Sequence, residues 1–350
     1  MLRSPTTFRR LAWATLAVTI LVVLWGAFVR ASGSGAGCGD HWPLCNGEVI
    51  PRAPSVETVI EMTHRITSGV VMLMALALFI ASRRAFPKAA HPRGTSGAAV
   101  RRYAGWALFF MGTEAALGAA LVLLEFVAYN VSVARGYWMA GHLVNTFLLL
   151  GAQGLTLYAA YGGHRPRIRS AMDVGLVGTL AATTVLCASG AVAALGDTLT
   201  IGGGIDPADD PIVATLVGLR IVHPTLACFV VLVVLWAVWK VHGQLERNAS
   251  RSTHIQTTQL LGGVVVGLYL VQMGIGVVNV ALKAPVWIQI VHLAGSDAVW
   301  LAQVWFVARL LDPASPSSLQ SPPPPADQSA EETDAPQEAV AAPSRSLEVA

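Results

Sequence analysis

Eight apolar segments dominate this sequence, and each is long enough to cross a hydrocarbon layer of about 30 Å as a helix. Only 12% of the residues are charged and 54% are hydrophobic, which favours a membrane protein over a soluble one. No small-residue cleavage site follows the first segment, so we expect it to be a retained helix and not a signal peptide. The predicted fold class is an all-α integral membrane protein with eight transmembrane helices. The segments lie near 11–30, 57–82, 102–124, 136–161, 171–196, 211–239, 257–282 and 286–310.

Basic residues concentrate at the amino terminus and in alternate loops, after the second, fourth and sixth segments. The remaining loops are poor in cations, and the loop at 197–210 carries four aspartates. Cytoplasmic loops carry the excess of Lys and Arg, so both termini are predicted to be cytoplasmic in a multi-pass protein of the cell inner or plasma membrane. The net charge of +3 therefore reflects topology and indicates no nucleic-acid partner.

The chain contains an internal duplication. His142 in the fourth segment and His292 in the eighth are each followed by leucine and, eleven residues on, by a glutamine, Gln153 or Gln303. The third and seventh segments share a weaker likeness, GTEAALGAALVLL against VQMGIGVVNVALK. Four helices per repeat make both halves enter from the same side, which predicts two tandem parallel four-helix bundles. The predicted parts are 1–161, 162–312 and a disordered, acidic, Pro-rich tail at 313–350.

Four of the nine histidines lie in the even-numbered segments at similar depth. Each falls about 6–12 residues after its segment begins, which is about 9–18 Å below the outer surface. A lone histidine in an apolar helix is usually a packing residue, but two per half at one depth favour two bis-histidine haem sites. Zinc and copper also accept imidazole, but their sites usually cluster three or four ligands. The four are His64, His142, His223 and His292.

The residue three positions before the histidine differs between the two halves. Glu61 precedes His64, whereas Arg220 precedes His223, and residues at i and i+3 share a helix face. An arginine suits a haem propionate, whereas a glutamate can handle protons or stabilise a developing cation. The alternative is structural, an ion pair between Glu61 and Arg65 at i, i+4. The asymmetry predicts one holding site and one reacting site.

The outer loop between the first two segments contains Cys38 and Cys45, seven residues apart on the oxidising side of the membrane. A disulfide suits this compartment, and so does a redox-active thiol pair. A zinc site formed with His41 is a third interpretation. The spacing alone does not separate them.

Several stretches together resemble the haem A synthase family over about residues 8–310. They are GAFVRASGSGAGCGDHWPLCNG, IEMTHR at the start of the second segment, GHL in the fourth, and ASGAVAALGDT, RIVHP and VHL in the second half. The resemblance implies a membrane oxidoreductase for cytochrome oxidase assembly. Its reaction converts the C8 methyl group of haem O to a formyl group by successive hydroxylations.

The resemblance also implies roles for individual residues. Glu61 matches the acidic residue used in catalysis, and Cys38 and Cys45 match a cysteine pair of the first loop. The axial ligands would be His64 and His142 for the substrate haem, and His223 and His292 for a resident haem b cofactor. Arg65 and Arg220 are candidates for propionate or supporting contacts. The implied partners are haem O as substrate, a haem O synthase, oxidase assembly factors, the lipid membrane and a second copy in a homo-oligomer.

Two features depart from the family pattern. Some members carry a second cysteine pair in the loop that corresponds to 197–210, which has none here. Glu114 stands in the third segment, where a neutral polar residue is expected. The main alternative function is a bis-histidine dihaem membrane cytochrome in electron transfer, which needs the four histidines but not Glu61. The parallel repeat disfavours a transporter.

Overall fold

The computed structural model describes residues 4–247 and 253–314, so the tail predicted at 313–350 lies outside the described residues apart from its first two positions. Eight helical spans within these ranges are long and apolar enough to cross a membrane, which confirms the predicted fold class. The helices are α1 Pro5–Ala31, α2 Val56–Ala85, α3 Ser96–Leu123, α4 Val133–Ala160, α5 Ala171–Asp197, α6 Pro211–Gly218, α7 Val222–Arg247, α8 Thr253–Ala281 and α9 Val286–Leu310.

The sixth span differs from the continuous helix expected there. Helices α6 and α7 are joined by a 3₁₀ turn at Leu219–Ile221. Pro224 explains the break, because it has no N–H to donate to the carbonyl of Arg220 and its ring crowds that carbonyl. The fifth span is also irregular, since a π-helical turn at Thr198–Gly202 continues α5.

Hydroxyl side chains cap the starts of four spans, α2, α3, α4 and α5. Ser55 accepts a hydrogen bond from the backbone N–H of Thr58 at the start of α2. Ser132 caps α4 in the same way. At α5, Ser170 and Asp173 form a reciprocal capping box. These caps satisfy N–H groups that have no partner within the helix.

Helix α4 is the most buried of the eight spans. It packs against α1, α3, α5 and α9. Two indole N–H groups of α9 bind carbonyls of α4, from Trp300 to Phe147 at 2.7 Å and from Trp305 to Gly154 at 2.9 Å. Gly151 lets the helices approach, because a Cβ there would lie 3.3 Å from the Trp300 indole nitrogen.

The two glutamines of the sequence repeat are buried structural residues. The Gln153 amide of α4 donates to the Thr19 hydroxyl of α1 at 3.0 Å. In the second half the Thr183 hydroxyl of α5 donates to Gln303 of α9, also at 3.0 Å. Each half therefore fastens its last helix to its first through the same pair of residue types. Because polar groups buried away from water must be paired, these bonds also fix the register of the two helices.

Arg30 connects α1 to the second half of the chain from the last turn of the helix. Its guanidinium donates to the Ala194 carbonyl at 2.8 Å and to the Thr198 hydroxyl at 2.7 Å, both in the fifth span. It also donates to the side-chain oxygen of Gln289 in α9 at 2.9 Å. Three helices therefore depend on one side chain for their hydrogen bonds at this level.

Replacing Arg30 by methionine keeps most of the side-chain volume but removes all three hydrogen bonds. We expect a loss of about 3 kcal/mol of stability, because buried acceptors lose their donor, and a lower apparent Tm of the detergent-solubilised protein. Arg10→Met is the matched control, since Arg10 is an exposed arginine of the same helix. Equal Tm values for the two variants would contradict the role given to Arg30.

Candidate functional site

The histidines of the second half form a close pair between α7 and α9. The ring centres of His223 and His292 are 6.2 Å apart, and the ring planes are nearly perpendicular, at 84°. Two imidazoles on opposite sides of one metal ion have ring centres roughly 6 Å apart, since each metal–nitrogen bond is about 2 Å and the nitrogen lies about 1 Å from its ring centre. The spacing therefore fits two axial ligands of one haem iron.

Both imidazoles of this pair have protein partners at Nδ1. His223 Nδ1 lies 3.1 Å from the Leu186 carbonyl oxygen and 3.1 Å from the Ser189 hydroxyl. His292 Nδ1 lies 3.1 Å from the side-chain amide of Gln272. A carbonyl at Nδ1 favours the tautomer that leaves Nε2 free to bind a metal, so His223 is already arranged for ligation. The Gln272 amide nitrogen is a donor to His292 and holds that ring in one orientation.

The histidines of the first half, His64 on α2 and His142 on α4, lack such support. The two imidazoles are close enough for charges on them to interact. Each Nδ1 is buried and has no hydrogen-bond partner within the described residues. The Glu114 carboxylate is 3.5 Å from His142 Nδ1, a distance at the limit of a hydrogen bond. The first pair therefore has weaker support from the protein at Nδ1 than the second pair.

Every imidazole of the two pairs lies against a glycine of the preceding span, a contact that the sequence analysis missed. A Cβ at Gly26 would lie 2.9 Å from His64 Cε1, and one at Gly190 would lie 2.9 Å from His223 Cε1. The absence of a side chain allows three of the rings to approach the neighbouring helix, whereas a Cβ at Gly118 would make an ordinary contact of 3.9 Å with His142. The four contacts are Gly26–His64, Gly118–His142, Gly190–His223 and Gly276–His292.

The same contacts correct the alignment of the third and seventh spans. In the third span, Glu114 and Gly118 lie beside His142. In the seventh span, Gln272 and Gly276 lie beside His292 in the same way. The two helices therefore correspond with Glu114 on Gln272, one residue away from the alignment made on sequence alone. The glycine that follows four residues later in both helices is the signal that would have given this register.

The outer loop contains a disulfide between Cys38 and Cys45, which confirms the disulfide interpretation. Both cysteines are completely buried. Because both sulfur atoms are in the bond, neither can serve as a thiolate ligand in a zinc site with His41. Within the described residues, no group of three or more His, Cys, Asp or Glu side chains could hold a metal ion.

Glu61 and Arg65 connect α2 to this loop. Glu61 is 3% exposed, and one of its oxygens accepts the backbone N–H of Cys38 at 2.8 Å. The other oxygen pairs with Arg65 at 2.6 Å. Arg65 also donates to the carbonyls of His41 and Leu44, both at 2.6 Å. The ion pair considered as a structural alternative is thus present, and Arg65 supports the loop.

Arg220 lies beside the second pair on the 3₁₀ turn of the sixth span. It forms an ion pair with Asp197 at 2.8 Å and donates to the Thr200 hydroxyl at 2.7 Å. Its Nε atom is buried and has no partner in the part of the chain that the structure describes. The side chain therefore retains one free donor for a further acceptor.

Eight apolar spans that carry two half-buried histidine pairs define a polytopic α-helical membrane protein with two candidate metal-ligand sites. The sequence matches the cytochrome oxidase assembly protein family COX15-CtaA over residues 9–304, and the chain belongs to that family. The family and the eight spans together make it a multi-pass membrane protein.

Individual relatives match over different lengths. A protein of Thermus thermophilus named protoheme IX farnesyltransferase is 46% identical over 311 residues, which is 86% of this chain and 48% of that protein. Proteins of Bacillus cereus and Bacillus anthracis, both named heme A synthase, are 40% identical over 104 residues. That match covers 30% of this chain and 31% of each relative. The chain therefore spans about half the length, or less, of these curated relatives.

The contacts of Arg65 predict that it protects the disulfide. Because both sulfur atoms are buried, reduction requires the loop to open locally. Arg65→Met removes the bonds to Glu61, His41 and Leu44, so we expect reduction by dithiothreitol to be about 10-fold faster, from the loss of roughly 1–2 kcal/mol of hydrogen bonding. Thiol alkylation followed by mass spectrometry measures the rate.

The control for this measurement is Arg52→Met, because Arg52 is an exposed arginine of the same loop. Its rate should equal that of the unchanged protein. An Arg65→Met protein whose disulfide is reduced no faster than that control would show that the Arg65 contacts do not hold the loop closed.

Proposed function

We propose that this chain is a haem A synthase that oxidises the C8 methyl group of haem O to a formyl group by successive hydroxylations. The product, haem A, would serve cytochrome oxidase assembly. Membership of the cytochrome oxidase assembly family and the name of the Bacillus relatives support this activity. The assignment of roles rests on one observation. The second histidine pair has protein partners at 3.1 Å from both Nδ1 atoms, whereas the first pair does not.

A resident cofactor and an exchanging substrate need different sites. Imidazoles that are already oriented lose little freedom when they bind, which favours tight retention. The second pair has this property, because Leu186, Ser189 and Gln272 contact its Nδ1 atoms. We therefore assign His223 and His292 to a resident haem b.

The first pair has the opposite property. His64 Nδ1 has no hydrogen-bond partner within the described residues, and His142 Nδ1 has only the Glu114 carboxylate at 3.5 Å, so these rings are held less firmly than those of the second pair. A site of this kind suits a haem that enters as substrate and leaves as product. We therefore assign His64 and His142 to haem O. Haem b, when bound in the second half, supplies one-electron redox chemistry.

Glu61 is the residue that we assign to catalysis. It lies one turn before His64 on the same helix face, so its carboxylate can act on a group held by that histidine. The Cys38 N–H and Arg65 each hold one carboxylate oxygen and fix its orientation. Held in this way, the carboxylate can accept a proton or stabilise positive charge that develops during oxidation. Arg220, with a free Nε, is a candidate donor to a haem propionate.

We further propose two tandem four-helix bundles, 1–161 with the substrate site and 162–312 with the haem b site, in the plasma membrane with cytoplasmic termini. A haem O synthase is the proposed partner that delivers the substrate. The Thermus relative supports this partner, because a protein named for farnesyl transfer to protoheme IX contains a stretch similar to this chain and extends far beyond it. Contacts with oxidase assembly factors and self-association remain predictions.

Pigment analysis of the full chain, expressed in a host that makes haem O but no haem A, tests this function. Acidified-acetone extraction and chromatography should give haem b together with haem O and haem A. Glu61→Gln should keep both haem sites occupied but lower haem A about 100-fold, because a positioned acid or base contributes a factor of that order. Haem O or its singly hydroxylated form should accumulate instead.

Glu57→Gln is the matched control, since Glu57 is an exposed glutamate one turn earlier in the same helix, and its haem A yield should be normal. Haem b alone in the unchanged protein would contradict the synthase and favour the dihaem electron-transfer cytochrome. A normal haem A yield from Glu61→Gln would return Glu61 to a structural role.

A further inference from the structure

Glu114 and Gln272 occupy equivalent places in the two halves but differ in charge. Each lies on the third helix of its half, beside Nδ1 of the histidine on the fourth, at 3.5 Å for Glu114 and 3.1 Å for Gln272. Each also forms a hydrogen bond with the hydroxyl four residues after that histidine, Thr146 or Ser296. The first half thus places a carboxylate where the second half places a neutral amide.

A hydrogen-bonded network holds Glu114 in this place. Its two oxygens accept hydrogen bonds from the Asn145 amide and the Thr146 hydroxyl. Asn145 in turn accepts a hydrogen bond from the Thr113 hydroxyl at 2.6 Å and donates to the Phe110 carbonyl at 2.9 Å. The carboxylate is therefore held next to the imidazole by neutral hydrogen-bond donors.

We propose that Glu114 is a positioning residue that makes His142 a more strongly donating axial ligand and lowers the midpoint potential of the haem bound in the first half. This inference rests on the proposed function, which assigns His142 as a ligand of that haem. A carboxylate beside a metal-binding imidazole raises the basicity of the ligand, and a nearby negative charge stabilises ferric over ferrous iron. Gln272 gives the second-half haem no such effect.

The proposed charge difference has a consequence for electron transfer between the two haems. A haem iron with a lowered potential gives up an electron more readily, so the haem of the first half would reduce that of the second half more readily than the reverse. The second half, with a neutral partner at the same position, holds its haem at a higher potential. Glu114 thereby makes two sites with the same ligand set electrochemically unequal.

Spectroelectrochemistry of the full chain, loaded with protohaem IX at both sites, tests the inference. The component that disappears in His142→Ala belongs to the first half. Glu114→Gln should shift that component to a more positive midpoint potential and leave the other component in place. Gln272→Glu should shift the second-half component to a more negative potential. The two variants exchange the side chains of the two halves and should have opposite effects.

Two controls separate charge from structure. Glu114→Asp keeps the carboxylate and should stay near the original potential, whereas Thr113→Val removes a neutral hydroxyl of the same network and should cause no shift. An unshifted first-half component in Glu114→Gln would overturn this inference and leave the proposed function intact. If no haem component depends on His142, the proposed function fails and the inference fails with it. Should Glu114→Gln not fold, Gln272→Glu decides: a negative shift supports the inference, and no shift contradicts it.

Discussion

Burial of polar groups in an apolar interior is the constraint on which the rest of this structure depends. An unpaired amide or hydroxyl away from water costs roughly 2–7 kcal/mol, so each polar side chain in a membrane span needs a partner or a function. Gln303 of α9 satisfies the constraint by binding threonines of α5 and Tyr269 of α8, and the Gln153 amide of α4 binds a threonine of α1. Arg30 satisfies it with three acceptors from two other helices. The imidazoles of His64 and His142 lack a full hydrogen-bond partner at Nδ1, which makes them candidates for a function.

The two histidine pairs have the same frame but different surroundings. In both halves a glycine of the preceding span lies against each imidazole, so the two halves place their rings in the same way. The difference lies in what each half adds. The second half adds partners at both Nδ1 atoms, whereas the first adds Glu61, bound to the disulfide loop, and Glu114 beside His142. The first half thus combines its histidine pair with two carboxylates, whereas the second half adds neutral partners at both Nδ1 atoms.

Much of this arrangement could be predicted from the sequence, because lipid restricts a spanning segment to one choice of structure. Apolar run length predicted the eight spans, whereas the common depth of the four histidines stays a prediction from the rise of a helix. The Glu61–Arg65 ion pair followed from i, i+4 spacing, and the disulfide from its compartment.

Other features depend on helix rotation and close approach, which apolar sequences record weakly. The glycine–histidine contacts could not be predicted from the sequence. The correspondence of Glu114 with Gln272 differs by one residue from the alignment that sequence similarity favoured. One partner of His223 could not be predicted from residue type, because Leu186 contributes only its backbone carbonyl. The break in the sixth span could have been predicted from Pro224, whose effect on the carbonyl four residues earlier is a general property of proline.

The central claim is that His223 and His292 hold a resident haem, whereas His64 and His142 hold the haem that is converted. Haem content and low-spin bis-histidine spectra of purified His292→Ala and His142→Ala proteins test it most directly. The account predicts that His292→Ala loses haem b, and that His142→Ala keeps haem b but carries neither haem O nor haem A. A full bis-histidine haem b spectrum in His292→Ala would contradict it.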